Sequence, residues 1–280
     1  MTSDLTRIKE HRCFEGVVYY CEHHSRETST KMKFSYFMPA GQITGCVIWL
    51  SGLTCTEENF MVKAGAFQAL AKHGLMVACP DTSPRGLSLP GESESWDFGV
   101  GAGFYVNATT SGYKDHYRMY SYVSEEFYEL ITKNFGVENK ISIMGHSMGG
   151  HGALVIGLRQ PEKFCSISAF APICNPVQVP WGKKAMRGYL GDDQTEWKKY
   201  DACELLMAGS KHPREILIEQ GLTDIYLEAQ LHPEAFVSAA KTSGQSYDYR
   251  KRSGYDHSYY FISTFIADHV DFHAQAITGN

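Results

Sequence analysis

The sequence predicts an α/β protein with one mainly parallel sheet covered by helices on both faces, and three observations predict it. Short apolar runs alternate with helical patterns along most of the chain, the pattern of successive βαβ units. The runs at 46–50, 75–79 and 166–171 are largely apolar, as strands buried on both faces must be. A serine between glycines, Gly145-His146-Ser147-Met148-Gly149, joins the run at 140–144 to a helical pattern over 150–159 that ends before Pro161.

Taken in order, 16–21 and 32–38 alternate in character and predict antiparallel strands. The run 46–50 predicts a buried strand, followed by a loop and a helix over about 59–73, then a strand at 75–79. Residues 81–117 are rich in Gly, Ser, Pro and Asp and predict a long irregular excursion, a kind of loop that more often serves function than not. A helix over 120–135, the strand 140–144 and the helix 150–159 come next. The remaining strands are expected at 166–171, 215–219 and 247–251, with helices at about 234–242 and 259–276. A helical insertion at about 181–207 lies between the first two of these strands. No repeat or linker-like stretch interrupts the chain, so one domain is expected over 1–280.

Composition narrows the function. A hydrophobic share of 43% with 20% charged residues suits a globular protein with a sizeable core. The net charge of −5 with scattered lysines and arginines argues against nucleic acid as a partner. No apolar run reaches membrane-spanning length, and the polar segment 1–10 predicts no secretory signal. Eight cysteines, at 13, 21, 46, 55, 79, 165, 174 and 203, lack C-x-x-C spacing. They argue against a metal site and predict reduced, mostly buried thiols in a cytoplasmic protein.

Glycines around a serine at a strand-to-helix junction form the nucleophile elbow of an α/β-hydrolase. The turn lifts the serine oxygen above the sheet at a helix N-terminus, where the dipole favours developing negative charge. Ser147 is therefore the candidate nucleophile. This fold orders its triad serine, acid, histidine. Asp224 follows the strand 215–219 and is the candidate acid; it could alternatively only cap the next helix, and Glu219 is a rival inside the strand. His257 follows the strand 247–251 and is the candidate base. His269 and His273 lie within the last helix and read as surface or packing residues, and His232 has no strand before it. The oxyanion requires backbone donors, expected from Met148 N–H and, in Ser51-Gly52-Leu53-Thr54-Cys55, from Leu53 N–H.

Beyond the elbow, the chain resembles the S-formylglutathione hydrolase (esterase D) family over nearly its whole length. The resemblance is carried by Ser51-Gly52-Leu53-Thr54-Cys55-Thr56-Glu57, Pro80-Asp81-Thr82-Ser83-Pro84-Arg85-Gly86, Glu94-Ser95-Trp96-Asp97-Phe98-Gly99 and Gly254-Tyr255-Asp256-His257-Ser258-Tyr259-Tyr260-Phe261. It implies a cytosolic, cofactor-independent serine thioesterase that releases glutathione and formate from S-formylglutathione in formaldehyde detoxification, with side activity on short esters. It places the catalytic roles on Ser147, Asp224 and His257, the oxyanion donors on Leu53 and Met148, and it implies a homodimer. A general short-chain carboxylesterase or acyltransferase would use the same triad, and an inert binding protein of the same fold is the reading of another class.

Two departures stand out: Asn107 replaces an aspartate common in relatives, and Val179 replaces a cysteine before Pro180-Trp181-Gly182. Cys55, beside the oxyanion loop, is either a thiol-sensitive position, as the resemblance implies, or a packing residue. Trp181, Lys183 and Lys184 open the insertion and are candidates to contact substrate, against the plainer reading of solvated lysines.

Overall fold

The computed structural model describes residues 5–279. Nine strands form one sheet in the order β1-β2-β3-β5-β4-β6-β7-β8-β9. β1 (Thr6–Arg12), β2 (Gly16–Ser25) and β3 (Thr30–Pro39) form an antiparallel meander, and β3 pairs antiparallel with β5 (Leu75–Pro80). From there β5, β4 (Gly45–Leu50), β6 (Ile141–His146), β7 (Ile167–Phe170), β8 (Ile216–Gly221) and β9 (Tyr247–Arg252) are parallel. β1 escapes the sequence pattern for a physical reason. It is an edge strand whose every side chain is exposed, so it has no buried face to imprint an alternation.

The helices are α1 (Glu58–Lys63), α2 (Phe67–His73), α3 (Met119–Ser121), α4 (Tyr128–Phe135), α5 (Met148–Arg159), α6 (Pro180–Leu190), α7 (Gln194–Lys198), α8 (Ala202–Met207), α9 (Pro233–Ser243) and α10 (Tyr259–Thr278). The single helix expected over 59–73 is two, because Gly65 turns left-handed (φ 69°) between them. The helix expected over 120–135 widens into a π-helical turn at Tyr122–Phe127. Within that turn Glu126 accepts hydrogen bonds from Ser25 Oγ and from the Arg26 and Glu27 amides, which closes the β2–β3 hairpin.

The strand order sets where chemistry can occur. The chain leaves β4 for β5 on one side, then returns to place β6 on the other side of β4. In such sheets the crevice beyond the carboxyl ends, at this reversal, is where ligands bind. The loops that leave those two ends are 51–57 after β4 and the Ser147 turn after β6.

That crevice exists because α5 lies almost against the sheet. A Cβ on Gly149 would stand 1.9 Å from the Leu50 carbonyl oxygen, and one on Gly145 would stand 2.2 Å from the Gly149 carbonyl oxygen. Both are closer than any real Cβ contact, so only glycine fits at either position.

On the opposite edge of the site, α10 is tied down by a buried polar chain. Ser142 Oγ lies 2.8 Å from Ser166 Oγ, which lies 2.7 Å from His273 Nδ1. His273 Nε2 reaches Ser168 Oγ at 2.7 Å, and Ser168 reaches His269 Nδ1 at 2.8 Å. His269 Nε2 ends the chain on Glu219 Oε2 at 2.9 Å, and Arg252 pairs with the other oxygen of that carboxylate. Burial pushes both imidazoles below their ordinary range, so both are neutral. One donor direction then satisfies every member: each hydroxyl donates to a ring Nδ1 or to the next hydroxyl, and each Nε2–H donates onward toward Glu219. His269 and His273 are therefore fully buried packing residues, and neither lies at the surface. Glu219 is committed to this chain.

Replacing Gly149 with alanine should destabilise the fold by about 3 kcal/mol through overpacking against Leu50. Gly112→Ala, at a position open on all sides, serves as control. Thermal unfolding of both variants checks this; a Gly149→Ala protein as stable as the control would contradict the packing argument.

Candidate active site

Ser147 is held at φ 57°, ψ −118°, a left-handed conformation that an L-residue adopts at a cost of about 1–3 kcal/mol unless its surroundings enforce it. Three backbone hydrogen bonds enforce it here. Ser147 N–H donates to Phe170 O (3.0 Å), and its carbonyl accepts from His151 N–H (2.9 Å) and Ile173 N–H (3.2 Å). The turn ends β6 and opens α5, so Met148 is the first helical residue and its N–H has no intrahelical acceptor.

The loop 51–57 comes up beside the serine. A Cβ on Gly52 would meet Ser147 Cβ at 3.2 Å and His146 Nδ1 at 3.3 Å, so glycine lets this backbone approach Ser147. Thr54 N–H donates to Gly101 O (2.8 Å) and Cys55 N–H to Gly52 O (3.3 Å). Among the described residues no acceptor engages Leu53 N–H. The loop is anchored from below by Tyr105, whose hydroxyl donates to Ser51 O (2.9 Å). Cys55 O accepts from Thr82 Oγ1 (2.6 Å) and from Arg85 (3.1 Å), itself held by both oxygens of Asp81. The irregular 81–117 segment thus braces the loop 51–57.

Asp224 follows β8, and His257 follows β9. His257 Nδ1 lies 2.5 Å from Asp224 Oδ2, and the carboxylate's other oxygen accepts Tyr226 N–H at 2.8 Å. Asp224 therefore orders the local turn and orients the imidazole at once, so the two readings of this residue are compatible. Gln220 Nε2 adds a bond to Oδ2 (3.3 Å). His257 is in turn fixed by α10, which starts two residues later with Ser258 as its cap.

Ser147 and His257 line one cavity of about 300 Å³, together with Gly52, Leu53 and Cys55. One wall is an aromatic series: Trp96 meets Trp181 edge to face (5.4 Å), Trp181 lies 4.8 Å from Tyr226, and Tyr226 lies 5.0 Å from the His257 ring. Trp181 thus belongs to the site, but Lys183 does not. On α6, Trp181 turns inward and the next two lysines outward, as the helical period requires. Lys183 lines a separate surface depression beside Phe98 and Arg187, and Lys184 pairs with Asp97.

Several residues at the cavity were not legible in the sequence: Asn59, Lys63 and Tyr226 lie in no motif, and His146 and Tyr259 lie in motifs but carried no expected role at the site. The His146 ring is centred 4.5 Å from that of His257. Burial and the neighbouring His257 hold its pKa well below the ordinary value, so a neutral ring packs on the base. Burial pushes the Cys55 thiol up, partly opposed by the charge of Lys63 and a hydrogen bond with the Gly52 backbone. That is a protonated thiol at neutral pH.

Neither departure touches this cavity. Asn107 Oδ1 accepts Ser121 N–H (2.9 Å) and its Nδ2 donates to Ser121 Oγ (2.7 Å), so the amide ties the loop to α3 without a charge. Val179 is fully buried at the start of α6, where a small apolar side chain packs. Among the described residues no group of three or more His, Cys, Asp or Glu side chains could hold a metal ion, and no helix is long and apolar enough to cross a membrane.

Residues 25–272 match the esterase family model, described as "Putative esterase". S-formylglutathione hydrolase of Mus musculus is 53% identical over 97% of this chain and 98% of its own length, and that of Arabidopsis thaliana is 47% identical over 99% of each. Among solved structures, an S-formylglutathione hydrolase from Agrobacterium tumefaciens superposes with a TM-score of 0.94 at 43% identity, covering 97% of this chain and 99% of that one. With the Ser147 turn, the loop 51–57 and His257, itself held by Asp224, around one cavity, the chain belongs to the S-formylglutathione hydrolase family of esterases.

Proposed function

We propose that this protein hydrolyses S-formylglutathione to glutathione and formate, with Ser147 as nucleophile, His257 as base and Asp224 as the residue that orients it. The observation that carries the reading is the 2.5 Å contact between His257 Nδ1 and Asp224 Oδ2 in the cavity that Ser147 opens into. With Nδ1–H donated to Asp224, Nε2 is free to accept the Ser147 proton as Oγ attacks the formyl carbon. Met148 and Leu53 N–H groups stabilise the oxyanion of the tetrahedral intermediate. Collapse breaks the C–S bond, and the imidazolium returns its proton to the departing thiolate. Water then attacks the formyl-serine with His257 again as base, releasing formate and restoring Ser147.

The same reading carries a cytosolic location, supported by eight unpaired cysteines, and a role in formaldehyde disposal. It also carries a homodimeric state, which light scattering of the purified protein tests.

Ser147→Ala and His257→Ala should each lower kcat by roughly a thousandfold or more, and the double variant should be scarcely worse than either, because the residues act as one proton-transfer unit. Steady-state kinetics with each purified variant decides it; near-parental turnover by Ser147→Ala removes the mechanism.

Cys55 acts sterically in this reading. Cys55→Ser should keep most activity and resist a maleimide that slowly inactivates the parent. Because the thiol's pKa is raised, parental inactivation should accelerate with pH beyond the range where an ordinary thiol is already ionised. A serine variant as inactive as Ser147→Ala would give the sulfur a chemical role.

Binding energy from the remote glutathionyl half can position the carbonyl and raise turnover as well as affinity. The kcat/KM for S-formylglutathione should exceed that for short nitrophenyl esters by at least roughly tenfold, about 1.4 kcal/mol. Equal rates on both, without inhibition by millimolar glutathione, would favour a general carboxylesterase.

A further inference from the structure

Among the described residues Lys63 is the one lysine or arginine that lines the cavity of Ser147 and His257. It also lines a second hollow of about 550 Å³ with Ser258, Tyr259, Tyr260 and Ser263. Tyr259 is the other residue common to both, so the two spaces meet at this pair. The ammonium lies 5.7 Å from the Tyr259 ring centre, and Tyr260 stands exposed beside it. The remaining lysines near the mouth are occupied or turned away: Lys184 pairs with Asp97, and Lys183 lies in its own depression. Among the described residues Lys63 has no carboxylate partner within ion-pair distance, although its neighbour Glu58 pairs with Lys9.

A lysine at the end of α1 would ordinarily need no explanation, since cations are favoured near helix C-termini. Its position is what sets it apart. A thioester with its carbonyl at Ser147 must send its thiol portion out of a cavity that the aromatic wall of Trp96, Trp181 and Tyr226 closes on one side. Lys63 and Tyr259, which line both spaces, mark the way from it into the second hollow. The glutathionyl group carries two carboxylates and one ammonium, a net negative charge, on a polar peptide backbone that hydroxyl groups such as Ser258 and Ser263 can meet.

We propose that Lys63 is the specificity-determining residue of this site: it receives a carboxylate of the glutathionyl half, which lies over Tyr259 in the hollow bordered by Ser258, Tyr260 and Ser263. This rests on the thioesterase reading above and deepens it. A partly exposed ion pair of this kind acts mainly in binding, so its loss raises KM more than it lowers kcat.

The test compares the parent with Lys63→Ala, Lys63→Arg and Lys63→Glu on S-formylglutathione and on S-formyl-N-acetylcysteamine, which has the same acyl group and no carboxylate. The ratio of kcat/KM for the two substrates should fall about tenfold in Lys63→Ala, fall further in Lys63→Glu, and return most of the way in Lys63→Arg. Raising the salt concentration should erode the parental ratio, as screening requires. Calorimetric binding of S-methylglutathione, which cannot be hydrolysed, should weaken in the same order. An unchanged ratio together with unchanged S-methylglutathione affinity in all three variants overturns the assignment. A parent that cleaves neither thioester overturns the thioesterase reading instead, one that cleaves only the neutral thioester overturns S-formylglutathione as substrate, and in both cases the binding measurement still decides on Lys63.

Discussion

The contact between the α5 backbone and the end of β4 is the constraint on which the site depends. Gly149 lies so close to the Leu50 carbonyl that no side chain fits between them, and Gly145 is pressed equally against Gly149. This proximity bends the chain at Ser147 into a left-handed turn, and hydrogen bonds to Phe170, His151 and Ile173 keep it there. The same contact brings the first helical N–H and the loop after β4 to the same point. Ser147 and the two backbone N–H groups proposed as oxyanion donors are thus positioned by one packing event, the kind of preorganisation that electrostatic stabilisation of an oxyanion uses.

Asp224 and His257, the proposed acid and base, are positioned by a separate arrangement. Asp224 and His257 come from the ends of β8 and β9, neighbours at the far edge of the sheet. His257 must reach back across β7 toward Ser147, and α10 fixes how far it reaches. The buried chain from Ser142 through His273, Ser168 and His269 to Glu219 binds α10 to β6, β7 and β8. Every donor in it finds an acceptor, which is what makes a polar chain compatible with a fully buried interface. Phe170 joins the two halves. Its carbonyl accepts the Ser147 amide, and its ring stacks on His269 at 3.8 Å.

The substrate-facing surface has a different origin. The insertion between β7 and β8 brings Trp181 over the site, and Asp201 holds the insertion in place. One oxygen of Asp201 takes the Asn175 amide and Val177 N–H, and the other caps α8 through Cys203 and Glu204 N–H. The aromatic wall is therefore rigid on the insertion side, while the opposite side is formed by α1 and the start of α10, where polar and charged groups face solvent.

The alternation of strands and helices, the serine turn and the order of its partners are local properties, written within a few residues, and the sequence alone determined them. Residues Ser147, Asp224 and His257 were legible because each lies in the turn or loop that leaves a parallel strand, and a parallel sheet brings such positions to one edge. Tertiary structure decided the rest. The exposed strand β1 has no buried face to leave a pattern, and Gly65 splits a helix whose apolar spacing looks continuous. Lys183 and Lys63 are both ordinary surface lysines in the sequence. Only the rotation of α6 turns the first away from the cavity, and only the packing of α1 against β3 brings the second to it. A side chain without a motif acquires its place from what packs around it, and that information is spread over the whole chain.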